Sequence, residues 1–382
     1  MLNISRLPKT IPRLLSKFTK SIIILIFITV FISCHSINVN PNSTLNNCIK
    51  TSTLLKVPQK LSQSCLYKNI DQQKIANQLI KFTPNYQLWS DGANKTRWIY
   101  LPEKTKIDTS NADRWIFPVG TQIFKEFRQI STITNIEMKV ETRHLQKIKS
   151  GSGIDSWLLS TYLWNKQQTE AYLSAGANNV LNSEHDIPSQ QNCIDCHKGN
   201  TDIVLGFEAL QLSDKQGEHA FGHGPQREMN EWTLKSLLSE NRLTHPMDMP
   251  ILPGVEIEQK VLGYLHANCG NCHNEQGHAA EQEAEHLNFR HELSFDSLDK
   301  TNVYTTAVNQ KTKNFTAVPY IVLGASQDEL ALYQSALYLR MNSTDEDYDV
   351  LVDLNHDGKI NVQDLSILGS HFGTDHCEVS AQ

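Results

Sequence analysis

The chain has 382 residues, 39% of them hydrophobic and 20% charged, with a formal charge of -6. That length allows two or more cores, because single hydrophobic cores stop growing at a few hundred residues. An ordinary soluble composition with a mild acidic excess gives no support to a nucleic-acid partner or a polybasic membrane patch.

Residues 1-34 differ from the rest. Arg6, Lys9, Arg13, Lys17 and Lys20 precede an apolar run, Ile22 to Ile32, broken only by Thr29. A mature transmembrane helix needs about 20 apolar residues, so the run suits an export signal. Phe31-Ile32-Ser33-Cys34 resembles a bacterial lipobox, in which Cys34 is acylated and becomes the new N-terminus. A lipoprotein signal, an uncleaved anchor and ordinary cleavage all place the chain outside the cytoplasm, in the periplasm or at the cell envelope. The first of these ties it to a bacterial membrane through a lipid anchor.

Residues 35-80 are polar, with little periodicity, and read as a tether followed by a short helix near Asp71 to Ile80. Cys48 and Cys65 fall here, and an oxidising compartment permits a disulfide between them. From 81 to 190 the chain alternates. Thr96 to Leu101, Thr121 to Phe127 and Glu137 to Thr142 carry β-branched and aromatic residues between turn signals, which predicts a β-rich, sandwich-like domain. Trp89, Trp98, Trp115, Trp157 and Trp164 lie in this region and are expected mostly in its core.

Residues 191-341 read as mainly α-helical, with helices near Glu231 to Leu238, Ile257 to Ala267 and Gln327 to Leu339. The class is therefore α+β. Two motifs dominate this region, Cys193-Ile194-Asp195-Cys196-His197 and Cys269-Gly270-Asn271-Cys272-His273. Covalent haem attachment needs two thiols to add to two vinyl groups and an imidazole beneath the iron. Cysteines three apart on a helical turn share a face, and the following His supplies the proximal ligand. Two haem c groups are expected, with Cys193, Cys196, Cys269 and Cys272 as thioethers and His197 and His273 on iron. A four-cysteine zinc site normally spaces its pairs by some 15 to 20 residues. A thioredoxin-like dithiol needs one pair beside a βαβ unit. Neither pattern is present.

For the sixth ligands, Met247-Asp248-Met249-Pro250 resembles the Met-Pro segment carrying the distal Met in many small cytochromes c, which points to Met249 first and Met247 second. After the second motif the only methionine is Met341. His266, His278, His286 and His291 keep bis-His ligation open, and so does an open coordination position.

Pro84 to Ile99, Phe117 to Thr121, Glu141-Thr142-Arg143, Ile187-Pro188-Ser189, Val204 to Phe207 and Leu262 to Cys269 together resemble an uncharacterised exported bacterial family. That family pairs a β-rich N-terminal domain with two Cys-x-x-Cys-His cytochrome c segments. The resemblance covers about 62 to 341 and implies haem binding and electron transfer with a redox partner protein. Such proteins continue past an Arg-Met pair like Arg340-Met341 into a Met-Pro turn, which this chain lacks.

Residues 342-382 hold instead a twelve-residue run from Asp353 to Asp364. Asp353, Asn355, Asp357, Asn361 and Asp364 offer side-chain oxygens, Gly358 allows the sharp turn, and Lys359 offers its carbonyl, as in an EF-hand-like Ca2+ loop. Asp at the last position followed by Leu365 to Gly369 resembles a dockerin repeat. Complete dockerins carry two such loops, so a cohesin-like partner is not expected from this single one. Besides electron carriage, the sequence leaves open a dihaem peroxidase or oxidase with an open second haem, and a calcium-stabilised surface protein binding carbohydrate or a partner.

Overall fold

A computed structural model describes residues 57–90, 92–183, 185–214, 227–281, 287–308, 341–342 and 359–360. All of them fall in the unit Cys48–Gln382. The signal run, Cys34, Cys48, His286, the stretch from Gln327 to Leu339, and Asp353, Asn355, Asp357, Asn361 and Asp364 lie outside the described residues.

Alternation in the β-rich part becomes a six-stranded antiparallel meander: β3 (Ile80–Lys81), β4 (Asn94–Tyr100), β5 (Gln122–Ile130), β6 (Glu137–Lys147), β7 (Trp157–Trp164) and β8 (Ala171–Ser174), in chain order across the sheet. Successive side chains of a strand point to opposite faces, and directly paired residues share one. One face carries the row Ile99, Ile123, Leu145 and Leu159, and the other carries Trp98, Phe124, His144 and Ser160. Both faces are buried. The first packs with Phe82, Trp115, Phe117, Trp157, Phe207 and Trp232, and the second with Leu61, Leu66, Tyr67 and Trp164. Trp98, Trp115, Trp157 and Trp164 are core residues as expected, whereas Trp89 is only half-buried.

Two expectations change. The stretch near Asp71 to Ile80 is not helical; β1 (Tyr67–Asn69) and β2 (Lys74–Ile75) form a hairpin instead. Asn69 Oδ1 accepts from the Gln72 amide at 2.8 Å, and Gln73 takes a φ of 52°. These local bonds close a turn where a helix would need its own ladder. Nor do the described residues form two stacked sheets. The six-stranded sheet is covered by the two-stranded hairpin on one side and by loops and helices on the other.

From 190 to 308 the named elements are helical but mostly short: α1 (Gln190–His197), α2 (Ala209–Leu212), α3 (Leu234–Ser239), α4 (Glu256–Asn268), α5 (His278–Glu281) and α6 (Asn302–Ala307). Helix α4 rests on the segment following β3. Gly263 lets the Tyr86 ring approach so closely that a Cβ there would sit 2.1 Å from it, and Asn268 Oδ1 accepts from the Trp89 amide at 2.8 Å. The only other described strands are β9 (Met341–Asn342) and β10 (Lys359–Ile360), which pair antiparallel.

Candidate haem-attachment site

The first motif lies on α1, whose start is fixed by Ser189 accepting from the Asn192 amide. The segment after it is pinned to the sheet by Asp202. Its carboxylate accepts from Lys147 Nζ at 2.5 Å, Trp157 Nε1 at 2.8 Å and the Phe117 amide at 2.8 Å. Ile203 follows with a φ of 56°, a left-handed conformation costly for a β-branched residue. Its carbonyl oxygen lies 2.6 Å from His197 Nδ1. That contact makes Nδ1 the protonated nitrogen and leaves Nε2 with its lone pair, as a metal-ligating imidazole requires. Burial holds the His197 imidazole down to about 4, so it is neutral at physiological pH.

The second motif departs from the expected helical setting. Cys269 caps the C-terminus of α4, and Gly270 to His273 continue as a turn in which the His273 amide donates to the Cys269 carbonyl at 2.8 Å. His273 packs edge-on to Phe289 with ring centroids 5.3 Å apart, and its buried Nδ1 has no hydrogen-bond partner. The two motif histidines are thus unequal.

The two motifs meet. The Cys272 thiol is hydrogen-bonded to Cys196, which holds the Cys196 thiol down to about 6 and pushes that of Cys272 up. A Cβ on Gly199 would sit 1.9 Å from the Asn271 carbonyl oxygen, so the chain just past the first motif lies directly on the second. Glu208 braces the junction, with Oε1 2.6 Å from His266 Nε2 and Oε2 2.9 Å from Arg290 Nη2. None of Cys193, Cys196, Cys269 and Cys272 is disulfide-bonded. Among the described residues no group of three or more His, Cys, Asp or Glu side chains is arranged to hold a metal ion by itself.

Two cavities border the first motif. One, of about 510 Å³, is lined by Cys193, Cys196 and His197 together with Phe82, Trp89, Ile123, Leu145 and His185. The other, of about 680 Å³, meets Cys193 and His197 from the side of Trp157 and Leu159. Both volumes fall in the range of sites for cofactor-sized ligands. Thiols outside any disulfide, a neutral imidazole with an available Nε2 and a cavity lined by both apolar and cationic side chains at the same spot fit a covalently attached haem. Neither of these two cavities is lined by His273.

Met247 and Met249 are partly buried against the core around Trp115, Trp232 and Leu243, and neither lines a cavity that contains His197. His266 is committed through both nitrogens, since Nδ1 accepts from the His291 amide at 3.1 Å. His278 Nδ1 lies 3.8 Å from Asp195, and burial holds His291 down to about 3. Met341 pairs through its backbone with Ile360, and Lys359 with Asn342. Cys65 is disulfide-bonded, with its partner outside the described residues.

Sequence reasoning missed the charged neighbours of the first motif. Arg97, Lys125, Arg143 and His185 all line the 510 Å³ cavity. The signal was present in strand parity, because Arg97, Lys125 and Arg143 stand two positions from Ile99, Ile123 and Leu145 and so share their inward face.

The chain matches no family model, no curated protein and no solved structure. Its functional reading rests on its own residues.

Proposed function

We propose that the chain is an exported c-type cytochrome that carries two covalent haems, one on each Cys-x-x-Cys-His motif, and transfers electrons at the cell envelope. The single observation that carries this reading is the convergence of the two motifs, Cys196 against Cys272, beside cavities lined by Cys193, Cys196 and His197. Bound haem supplies a one-electron iron centre whose potential follows its axial ligands and surroundings. The protein's part is support. Ile203 fixes the tautomer of His197, Asp202 anchors the segment that presents the Ile203 carbonyl, and Glu208 with Arg290 and His266 fastens one motif region to the other. Adjacent motifs suit electron exchange within the chain before delivery to a redox partner protein. The export signal, the lipid anchor at Cys34 and the Ca2+ loop from Asp353 to Asp364 belong to the same proposal and rest on the sequence. The test is absorption spectroscopy of protein matured in a host with c-type cytochrome assembly. Sharp reduced bands and colour that resists acidic acetone are expected, and extractable or absent colour would refute the reading.

A second reading is a dihaem peroxidase or oxidase in which the second haem keeps an open position. It is favoured by the absence, after Arg340-Met341, of the Met-Pro turn that would supply a distal Met to the second haem. Low-spin, six-coordinate iron at both sites in every oxidation state, without peroxide turnover, would exclude it.

A further inference from the structure

Arg97 on β4 pairs with Lys125 on β5, which pairs with Arg143 on β6. Three cations therefore stand directly opposite one another across three adjacent strands. The row is about 10 Å long, from a strand spacing near 4.8 Å. Like charges in such positions repel, and burial makes the repulsion worse. Arg97 is only 5% exposed. Phe127 lies beneath the row, with its ring 4.8 Å from Lys125 Nζ and 4.4 Å from the Arg143 guanidinium carbon.

None of the nearby carboxylates forms an ion pair with Arg97 or Lys125 among the described residues. Glu141 is held bidentately by Arg143, at 2.6 and 3.0 Å, and by His185 Nε2 at 2.7 Å. Glu208 serves His266 and Arg290, while Glu231 lies 3.2 Å from Lys81 and acts on Arg97 electrostatically, without a hydrogen bond or ion pair to it. Arg97 has only a 3.5 Å contact to Gln87 Oε1, and Lys125 makes no ion pair or hydrogen bond among the described residues. Arg97 and Lys125 line both the cavity of the first motif and a smaller one reaching His266 and Asn271. At the other end of the row, Arg143 lines the same cavity as Cys193 and Cys196.

We propose that Arg97 and Lys125 form an anion clamp for the carboxylate side chains of the haem attached through Cys193 and Cys196. This inference rests on the haem reading above. The ligand it needs is anchored to thiols at one edge and presents carboxylates at the opposite edge, which is how a c-type haem is built. The row has the same polarity. Arg143, paired with Glu141, stands at the thiol end, and the two cations that make no ion pair among the described residues stand away from it. Arg97 and Lys125 are positioning residues, and they set the electrostatic environment of the first haem.

The test uses the haem-loaded full chain. Covalent haem content and the two midpoint potentials are measured for the natural protein, Lys125→Gln, Arg97→Gln, Lys125→Arg and the exposed control Lys166→Gln. The expected result is a lowered potential for one haem only in Lys125→Gln and Arg97→Gln, because removing a cation favours the oxidised form. Two haems per chain are retained, Lys125→Arg restores the potential and Lys166→Gln leaves it unmoved. Lys125 faces the cavity and is only half-buried, so Lys125→Gln decides the matter even if Arg97→Gln does not fold. Unchanged potentials with two haems present would overturn the clamp and spare the haem reading. Absence of haem from the natural protein would overturn both. A free anion as the occupant predicts that inorganic phosphate raises the melting temperature of the loaded protein while the potentials stay equal across the variants, and that outcome also overturns the clamp.

Discussion

Cys196 and Cys272, from motifs far apart in the sequence, are hydrogen-bonded thiol to thiol, and the contact divides their acidities in opposite directions. Thiolates are the reactive form of cysteine. In chain produced without haem, Cys196 should therefore react with iodoacetamide faster than Cys272. Peptide mass spectrometry across pH 5 to 8 measures the order. Equal rates for the two thiols would mean that the motifs do not touch before haem is attached.

The junction itself is sensitive to a single methyl group. A Cβ on Gly199 would lie 1.9 Å from the Asn271 carbonyl, and backbone cannot yield as a side-chain tip does. Gly199→Ala should destabilise the protein by about 1–3 kcal/mol, the usual range for overpacking. Thermal unfolding measures this, and an unchanged melting temperature would show that the second motif is free to move off the first.

Asp202 links two strands, a core loop and the segment behind His197 through three hydrogen bonds. Asp202→Asn leaves Lys147 charged and buried without a counter-ion. Breaking one side of a buried pair costs about 3–5 kcal/mol. Denaturant titration should show a loss of that size, together with altered spectra at the first haem as the Ile203 carbonyl loses its support.

Acid should act through Glu208. Burial raises its carboxyl, but Arg290 and His266 overcome that and bring it down to about 2, from an ordinary value of 4.5. The folded value is below the unfolded one, so its contribution is complete above about pH 4.5 and is lost as pH falls toward 2. The difference corresponds to on the order of 3 kcal/mol. Glu208→Gln should lower stability at pH 7, depriving Arg290 of its ion pair, and flatten this acid limb of the stability profile. A limb equally steep in the variant would assign it to other groups. His144, stacked 4.2 Å from Phe124 and held down to about 3 by burial, acts in the same direction over the window from pH 6.5 to 3.

Much of this was legible along the chain. Strands β4 to β6 follow from period-two alternation in Thr96 to Leu101, Thr121 to Phe127 and Glu137 to Thr142, and α4 from the apolar spacing of Val261, Leu262 and Leu265. The hairpin at Tyr67 to Ile75 was not, because Asn69 diverts the backbone through a side-chain bond that periodicity does not register. The proximity of the motifs was also hidden. It depends on Gly199 and on the braces from Glu208, which are tertiary contacts, and a lone glycine after a His carries no sign of what will lie on it. The cation row was partly visible, since charged residues at inward parity in otherwise apolar strands indicate either pairing or a ligand.

The central claim is the covalent attachment of two haems, and the intact mass of the purified, matured protein tests it most directly. The predicted result is the mass of the chain plus two haem groups, with no alkylatable thiol at Cys193, Cys196, Cys269 or Cys272. A mass lacking both groups, with all four thiols open to alkylation, would contradict it.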